Sequence, residues 1–472
     1  MKPRVTGLAL VLALGVAPGA FAQTQTRMIR IDGPLAGGVP TGTATTEPVA
    51  LTLPDAIRRG LEHNLAALVD EQRVHQAEGA RWRALSGMLP NLSGNLQAAR
   101  EKINLAAFGF TAPGVPQLVG PFNLYDARMR LSQSLIDLSA ISEARAGAQT
   151  LEAEKAGYAD TRSLVVAAIT NLYLVAVADK SRVDAAQAEE KTAETVHQLA
   201  VDQNEAGVVP KLDALRSDVE LRSARQHLIV VKNDLDKDML ALARAIGLPL
   251  GQPFTLADEV PFVAAPPIDI TAAAKLAYNG RDDFKAAQAR VAAAEAERTA
   301  ARQAHLPSLT FDADYGAIGN TTQSMLATFT AAANVRVPVF DAGKTKARSI
   351  EAEAALKTRL AEAEDLRGRI YYEVQGATLD LAAASDQVSV AREAVNVAEQ
   401  ALAQAQDRFK AGVTNNLEVV QAQQALTGAR ENFIGSLYSH NVAKAALARA
   451  LGLGEQEFLQ ILEGKTSWPT NH

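Results

Sequence analysis

Cysteine does not occur anywhere in the 472 residues. Its absence excludes a disulfide framework, a thiolate metal site, a cysteine nucleophile and a lipid anchored on an N-terminal cysteine. Aromatic residues make up only 5% of a chain that is 48% hydrophobic, and alanine supplies much of the apolar count. Thin, closely packed helices are expected rather than a thick globular core. There is no lysine or arginine run and the net charge is −6, so nucleic acid is not expected as a partner. After the first 22 residues no segment approaches the roughly 20 uninterrupted apolar residues that a spanning helix needs. Any membrane crossing must therefore use β-strands. The seven histidines are scattered, without paired metal spacing, and no catalytic arrangement stands out among the 53 acidic residues. No enzyme activity, metal or cofactor is expected.

What is present begins at the N-terminus. Lys2 and Arg4 precede an apolar run from Val5 to Val16, and Ala20-Phe21-Ala22 offers a small-x-small cleavage site. Residues 1–22 read as a signal peptide, too short and too broken by Pro18-Gly19 to anchor the chain. Residues 23–50, rich in Pro, Gly and Thr, read as an extended leader.

The remainder falls into two similar repeats, 51–249 and 270–454, joined by a Pro-rich connector at 250–269 and followed by a tail at 455–472. Each repeat opens with a helix (about 53–87 and 271–305) that stops at Leu-Pro-x-Leu, Leu89 to Leu92 and Leu306 to Leu309. Strands are expected at about 91–105, 122–136, 308–318 and 326–340. Their alternation places Tyr125, Ala127, Met129 and Leu131 on one face, with Asp126, Arg128, Arg130 and Ser132 on the other. Phe311, Ala313 and Tyr315 likewise oppose Asp312 and Asp314, and Val335 and Val337 oppose Arg336. The first segment loses its alternation at Arg100-Glu101-Lys102. Two arrangements give this period: a barrel with lipid outside and water inside, or an antiparallel sheet on a soluble core. Four strands cannot close a barrel alone, so in a membrane their open edges must pair with other chains.

Proline is also absent from 144–205 and 344–410, leaving two helices on the order of 90–100 Å long. The second carries a heptad: Val374, Leu381, Val388, Val395, Leu402 and Phe409 at one position, and Ala377, Ala384, Ala391, Ala398 and Ala405 at the other. A large-against-Ala seam lets antiparallel helices approach closely and supercoil. Asp341-Ala342-Gly343-Lys344-Thr345 looks like a phosphate loop, but Pro338 stands where that motif needs its first glycine. A strand-to-helix turn is expected there.

Each long helix ends in Ala-Gly-Val, at Ala206-Gly207-Val208-Val209 and at Ala411-Gly412-Val413-Thr414. Glycine supplies the positive φ that ends one helix before its return partner. The repetition, with small apolar residues at an exposed turn, marks both tips as candidate docking sites. Just beyond them, Asp213 and Glu418 occupy matching positions, with Gln421 one turn after Glu418. Repeated acids in a ring of subunits would form a negative collar at a channel mouth; as single residues they are ordinary acids at helix N-termini.

With the duplicated helix–Leu-Pro-x-Leu–strand units, Val339-Phe340-Asp341-Ala342-Gly343, and Arg408-Phe409-x-Ala-Gly-Val-Thr followed by Leu417-Glu418-Val419-Val420-x-Ala422, the sequence resembles the TolC-type outer-membrane efflux protein family. The resemblance runs from Leu53 to about Leu453. It implies a mainly α fold with a β-barrel segment: coiled-coil hairpins forming a periplasmic α-helical tunnel under a trimeric, twelve-stranded barrel in outer-membrane lipid. The implied role is a passive exit duct for efflux or type I secretion, whose tips meet a periplasmic adaptor protein coupled to an inner-membrane transporter. Asp126, Arg128, Arg130, Asp312, Asp314 and Arg336 would face the barrel lumen. Of the acids and the Arg–Tyr latch that constrict some members, Glu418 alone matches; Gln421, Thr414 and Phe409 replace the others. A periplasmic coiled-coil or adaptor protein without a membrane barrel is the alternative reading of the same chain.

Overall fold

The computed structural model describes residues 33–110, 113–114, 116–258, 262, 269–414 and 416–462. The expected signal peptide, the first part of the leader, most of the connector after residue 258 and the last ten residues lie outside the described residues.

Both halves open with a helix broken once. α1 (Leu53–His63) starts at Thr52, whose side chain accepts from the Asp55 amide, and ends at Asn64. Asn64 has extended backbone, caps α2 (Leu65–Ser86) through the Ala66 amide, and donates to the carbonyls of Leu35 and Ala245. One buried asparagine thus ends one helix and begins the next. The second half repeats the break between α5 (Ile270–Gly280) and α6 (Asp282–Gln303) at Arg281, which is buried and bonded to Asp283 and Glu373. The continuous helices expected from periodicity are each two pieces.

The four expected strands form one antiparallel sheet in the order β2 (Asn91–Asn104), β3 (Leu118–Ile136), β5 (Ser308–Gly319), β6 (Leu326–Arg336). β2 keeps pairing past Arg100, and the register shift between Glu101 and Ile103 places the extra residue on β3, between Phe122 and Val119. A bulge of this kind bends the strand without ending the ladder. β3 begins earlier than expected, at Leu118. β6 stops at Arg336 rather than near 340, because Pro338 has no amide to give the ladder.

From the sheet run the two long helices, α3 (Leu138–Glu205) and α7 (Lys344–Lys410), each returning through a 35-residue partner, α4 (Lys211–Ala245) and α8 (Asn416–Ala450). At 1.5 Å per residue α3 and α7 are about 100 Å long. Ala342-Gly343 is indeed a strand-to-helix turn: the Asp341 carboxylate accepts from the Gly343 and Thr345 amides as α7 begins. In the α7 seam, Val374, Ala377, Leu381, Ala384, Val388, Ala391, Ala398, Leu402, Ala405 and Phe409 are all buried, and Val395 is half-buried.

The main core lies midway along the molecule, where Ile57, Ile169, Tyr173, Leu242, Ile370, Val374 and Leu447 meet. One stretch of α3 is long and apolar enough to cross a membrane, but most of it is buried against these neighbours. Two short strands and one α-helix were not expected. β1 (Val49–Leu51) in the leader pairs in parallel with β4 (Phe254–Leu256) in the connector. Residues 455–462 of the expected tail form α9 (Glu455–Leu462), which buries Phe458 and Ile461 in the core.

Candidate functional site

The two hairpin tips have the same construction. In the first, the Val208 amide bonds the Gln203 carbonyl and the Gly207 amide that of Asn204, with Gly207 at φ 73°. In the second, the Val413 amide bonds Arg408 and the Gly412 amide Phe409, with Gly412 at φ 70°. This paired capping satisfies the last carbonyls of a helix and normally covers the apolar residue after the glycine. At the other end of α4 it does so: Leu248, after Gly247, is 7% exposed. At the tips the corresponding residues stand in water, Val208 at 62% and Val413 at 70%. The residues they would pack on, Gln203 and Arg408, are polar, so the chain itself offers these valines no cover.

The expected collar residues occupy three different environments. Glu418 accepts from the Thr414 hydroxyl at 2.5 Å and pairs with Arg408 at 3.1 Å, so its charge is matched within its own hairpin. Asp213 is buried, 3.7 Å from Arg216, and Gln421 is exposed. The two hairpins are tied side by side, at the tips and further along, by polar residues of α8 that periodicity did not single out. Asn416, fully buried, donates to the Asp213 carbonyl at 3.2 Å, and Thr427 donates to Glu189 at 2.9 Å.

Over residues 91–99 of β2 and across β3, β5 and β6, the sheet separates charge from apolar surface. On β3, Asp126, Arg128 and Arg130 share a face with Asp312 and Asp314 on β5, and Arg336 on β6 belongs to the same face by register. Arg128 bonds Asp126 at 2.8 Å and Asp314 at 2.6 Å, while Asp312 accepts from Ser132 and Asn334. Arg130 and Arg336 are exposed and form no ion pair among the described residues. On the opposite face Leu92, Leu96, Met129, Tyr315, Phe329 and Val335 are exposed. Strands of 11 to 19 residues meet the ~9–11 needed to cross a bilayer. β2 and β6 each have one unpaired edge within the chain.

Further exposed apolar residues lie on the helices. α7 presents Tyr372, Leu379, Val390 and Val397 away from its buried seam, and α4 presents Leu212, Leu215, Val219 and Ile229. The sevenfold spacing within 372–379 and within 390–397 stands in the sequence beside the stronger seam.

The profile of the Outer membrane efflux protein family matches residues 57–248 and again 273–453. The chain belongs to that family. Its members similar to this efflux-family chain include the pyoverdine export outer membrane protein OpmQ of Pseudomonas putida, 25% identical over 85% of each sequence. The alkaline protease secretion protein AprF of Pseudomonas aeruginosa is 24% identical over 88% of this chain and 87% of its own. Among solved structures, the outer-membrane channel OprN superposes with a TM-score of 0.75 at 19% identity, covering 85% of this chain and 90% of the other. VceC of Vibrio cholerae gives 0.73 at 18% identity, covering 85% and 96%.

Proposed function

We propose that this efflux-family protein is the outer-membrane exit duct of a tripartite efflux or type I secretion system. Three copies contribute four strands each to a twelve-stranded barrel, and their hairpins form the periplasmic tunnel below. The duplicated units, 51–249 and 270–454 about the 250–269 connector, supply equivalent pairs of helices around that tunnel, and residues 1–22 direct export. The observation that carries this reading is the sheet: bilayer-length strands, apolar on one face and charged on the other, open at both edges. Outward, Leu96, Met129, Tyr315 and Phe329 meet lipid. Inward, Asp126, Arg128, Arg130, Asp312, Asp314 and Arg336 keep the lumen wet. The exposed stripes on α4 and α7 give neighbouring copies a surface to bury.

The tips Ala206 to Val209 and Ala411 to Thr414 dock a periplasmic adaptor protein, with Val208 and Val413 as apolar anchors, and an inner-membrane transporter loads the duct. Asp213, Glu418 and Gln421 stand at its entrance. Since Arg408 balances Glu418 and Asp213 is buried, the entrance collar is weakly charged at rest.

The test is reconstitution of the detergent-extracted trimer into a planar bilayer. Discrete conductance supports the duct. Recovery of the whole chain in the soluble periplasmic fraction, without conductance, returns the reading to a periplasmic coiled-coil or adaptor protein.

A further inference from the structure

The base of the α3–α4 hairpin holds a cluster of charges that conduction does not use. The Asp179 side chain on α3 is only 4% exposed. One of its oxygens accepts from Arg182, and the other, Oδ2, is buried without a partner. Val183 on α3 and Leu235 on α4 share one apolar cluster across the antiparallel hairpin, and about a turn further toward its base Asp238 comes opposite Asp179, with Asp234 adding negative charge beside it. Lys237 lies 3.7 Å from Asp234. From α8, Glu431 takes the Arg182 Nε at 3.3 Å, and Tyr438 stands with its hydroxyl on Asn171. Lys180 is turned away to the Leu256 carbonyl. Arg182 therefore serves Asp179 and Glu431, while Asp238 forms no ion pair among the described residues.

A buried acceptor without a donor is costly, and two neighbouring carboxylates do not both ionise readily. Among the described residues, no three side chains are gathered as a metal ion requires. A proton satisfies the site with the groups already present. We propose that Asp179 and Asp238 share one proton, donated from Asp238 to Asp179 Oδ2, which clasps α3 to α4 and makes the hairpin base a pH-sensitive joint. The inference does not depend on the duct reading.

Burial, the hydrogen bond to Asp179 and the charges of Asp179 and Asp234 push the Asp238 carboxyl up to about 7, against the pull of Arg182. Its folded pKa lies above the ordinary carboxylate value, so the fold binds the proton more tightly than the unfolded chain. The clasp is complete below the ordinary value and is lost as pH rises through about 7. His440, elsewhere on α8, titrates in the opposite sense, so the comparison is with a variant rather than along one curve.

The experiment follows thermal unfolding of the purified full-length protein in detergent from about pH 5 to about pH 8. Wild type is set beside Asp238→Asn, whose amide donates to Asp179 at every pH. The variant is expected to gain on wild type by a few degrees as pH rises from about 5 to about 7 and to keep that lead above it; parallel curves over that range overturn the proposal. Infrared spectra of wild type alone keep it testable if the variant does not fold. A carboxylic-acid band that disappears with a midpoint near neutrality is expected, and its absence overturns the shared proton. A midpoint moved by added calcium also overturns it, because a cation then takes the proton's place.

Discussion

Gly412 has φ 70° and no atom within 4 Å of an added Cβ, so substitution there acts through the backbone alone. Gly412→Ala is expected to cost about 1–2 kcal/mol locally, raising proteolytic cleavage at the tip while the main unfolding transition stays in place. A cleavage rate equal to wild type would contradict this. A second residue-scale effect lies in the core. His440 is fully buried beside Phe262, neither ring nitrogen has a partner, and burial together with the Lys444 charge pushes its pKa down to about 4. The fold holds the neutral ring, so its penalty is absent above about 6.5 and grows as pH falls toward about 4, by about 1.4 kcal/mol per unit. His440→Leu should flatten that acid loss in urea titrations between these limits. An unchanged acid slope would refute it.

At the scale of elements, the α7 helix has two apolar stripes, one buried and one exposed. Leu402 is buried in the seam with Ala200, Phe409 and Val419, and Leu402→Ala should cost roughly 2–5 kcal/mol, read as a lower denaturation midpoint. Val390 and Val397 are exposed in the single chain. If neighbouring copies of the proposed trimer bury this stripe, Val390→Glu with Val397→Glu should leave the folded chain intact yet shift sedimentation from trimer to monomer, since unpaired charge cannot be buried between copies. If the double variant remains trimeric, this stripe is not the subunit contact. The heptads were legible because a local period records which side faces a partner. Which partner each stripe meets is a matter of tertiary packing, and α7 spends one on its own return helix.

For the whole molecule, the proposed barrel would have the charged sheet face set what passes through it. Arg128 holds Asp126 and Asp314 together, so Arg128→Gln removes one positive charge per subunit and leaves two carboxylates facing the lumen. Reversal potentials under a salt gradient should move toward cation preference, and a shift toward anions would place these residues away from the water path. Local chemistry in the sequence determined the strands, the heptad seam and the glycine-capped tips, because alternation, sevenfold spacing and capping each act within a few residues. The breaks at Asn64 and Arg281, the β1–β4 pairing, helix α9, the Arg408–Glu418 pair and the meeting of Asp179 with Asp238 were decided only by tertiary structure. Each depends on groups brought together around a turn or from a distant part of the chain, and no local period carries that information.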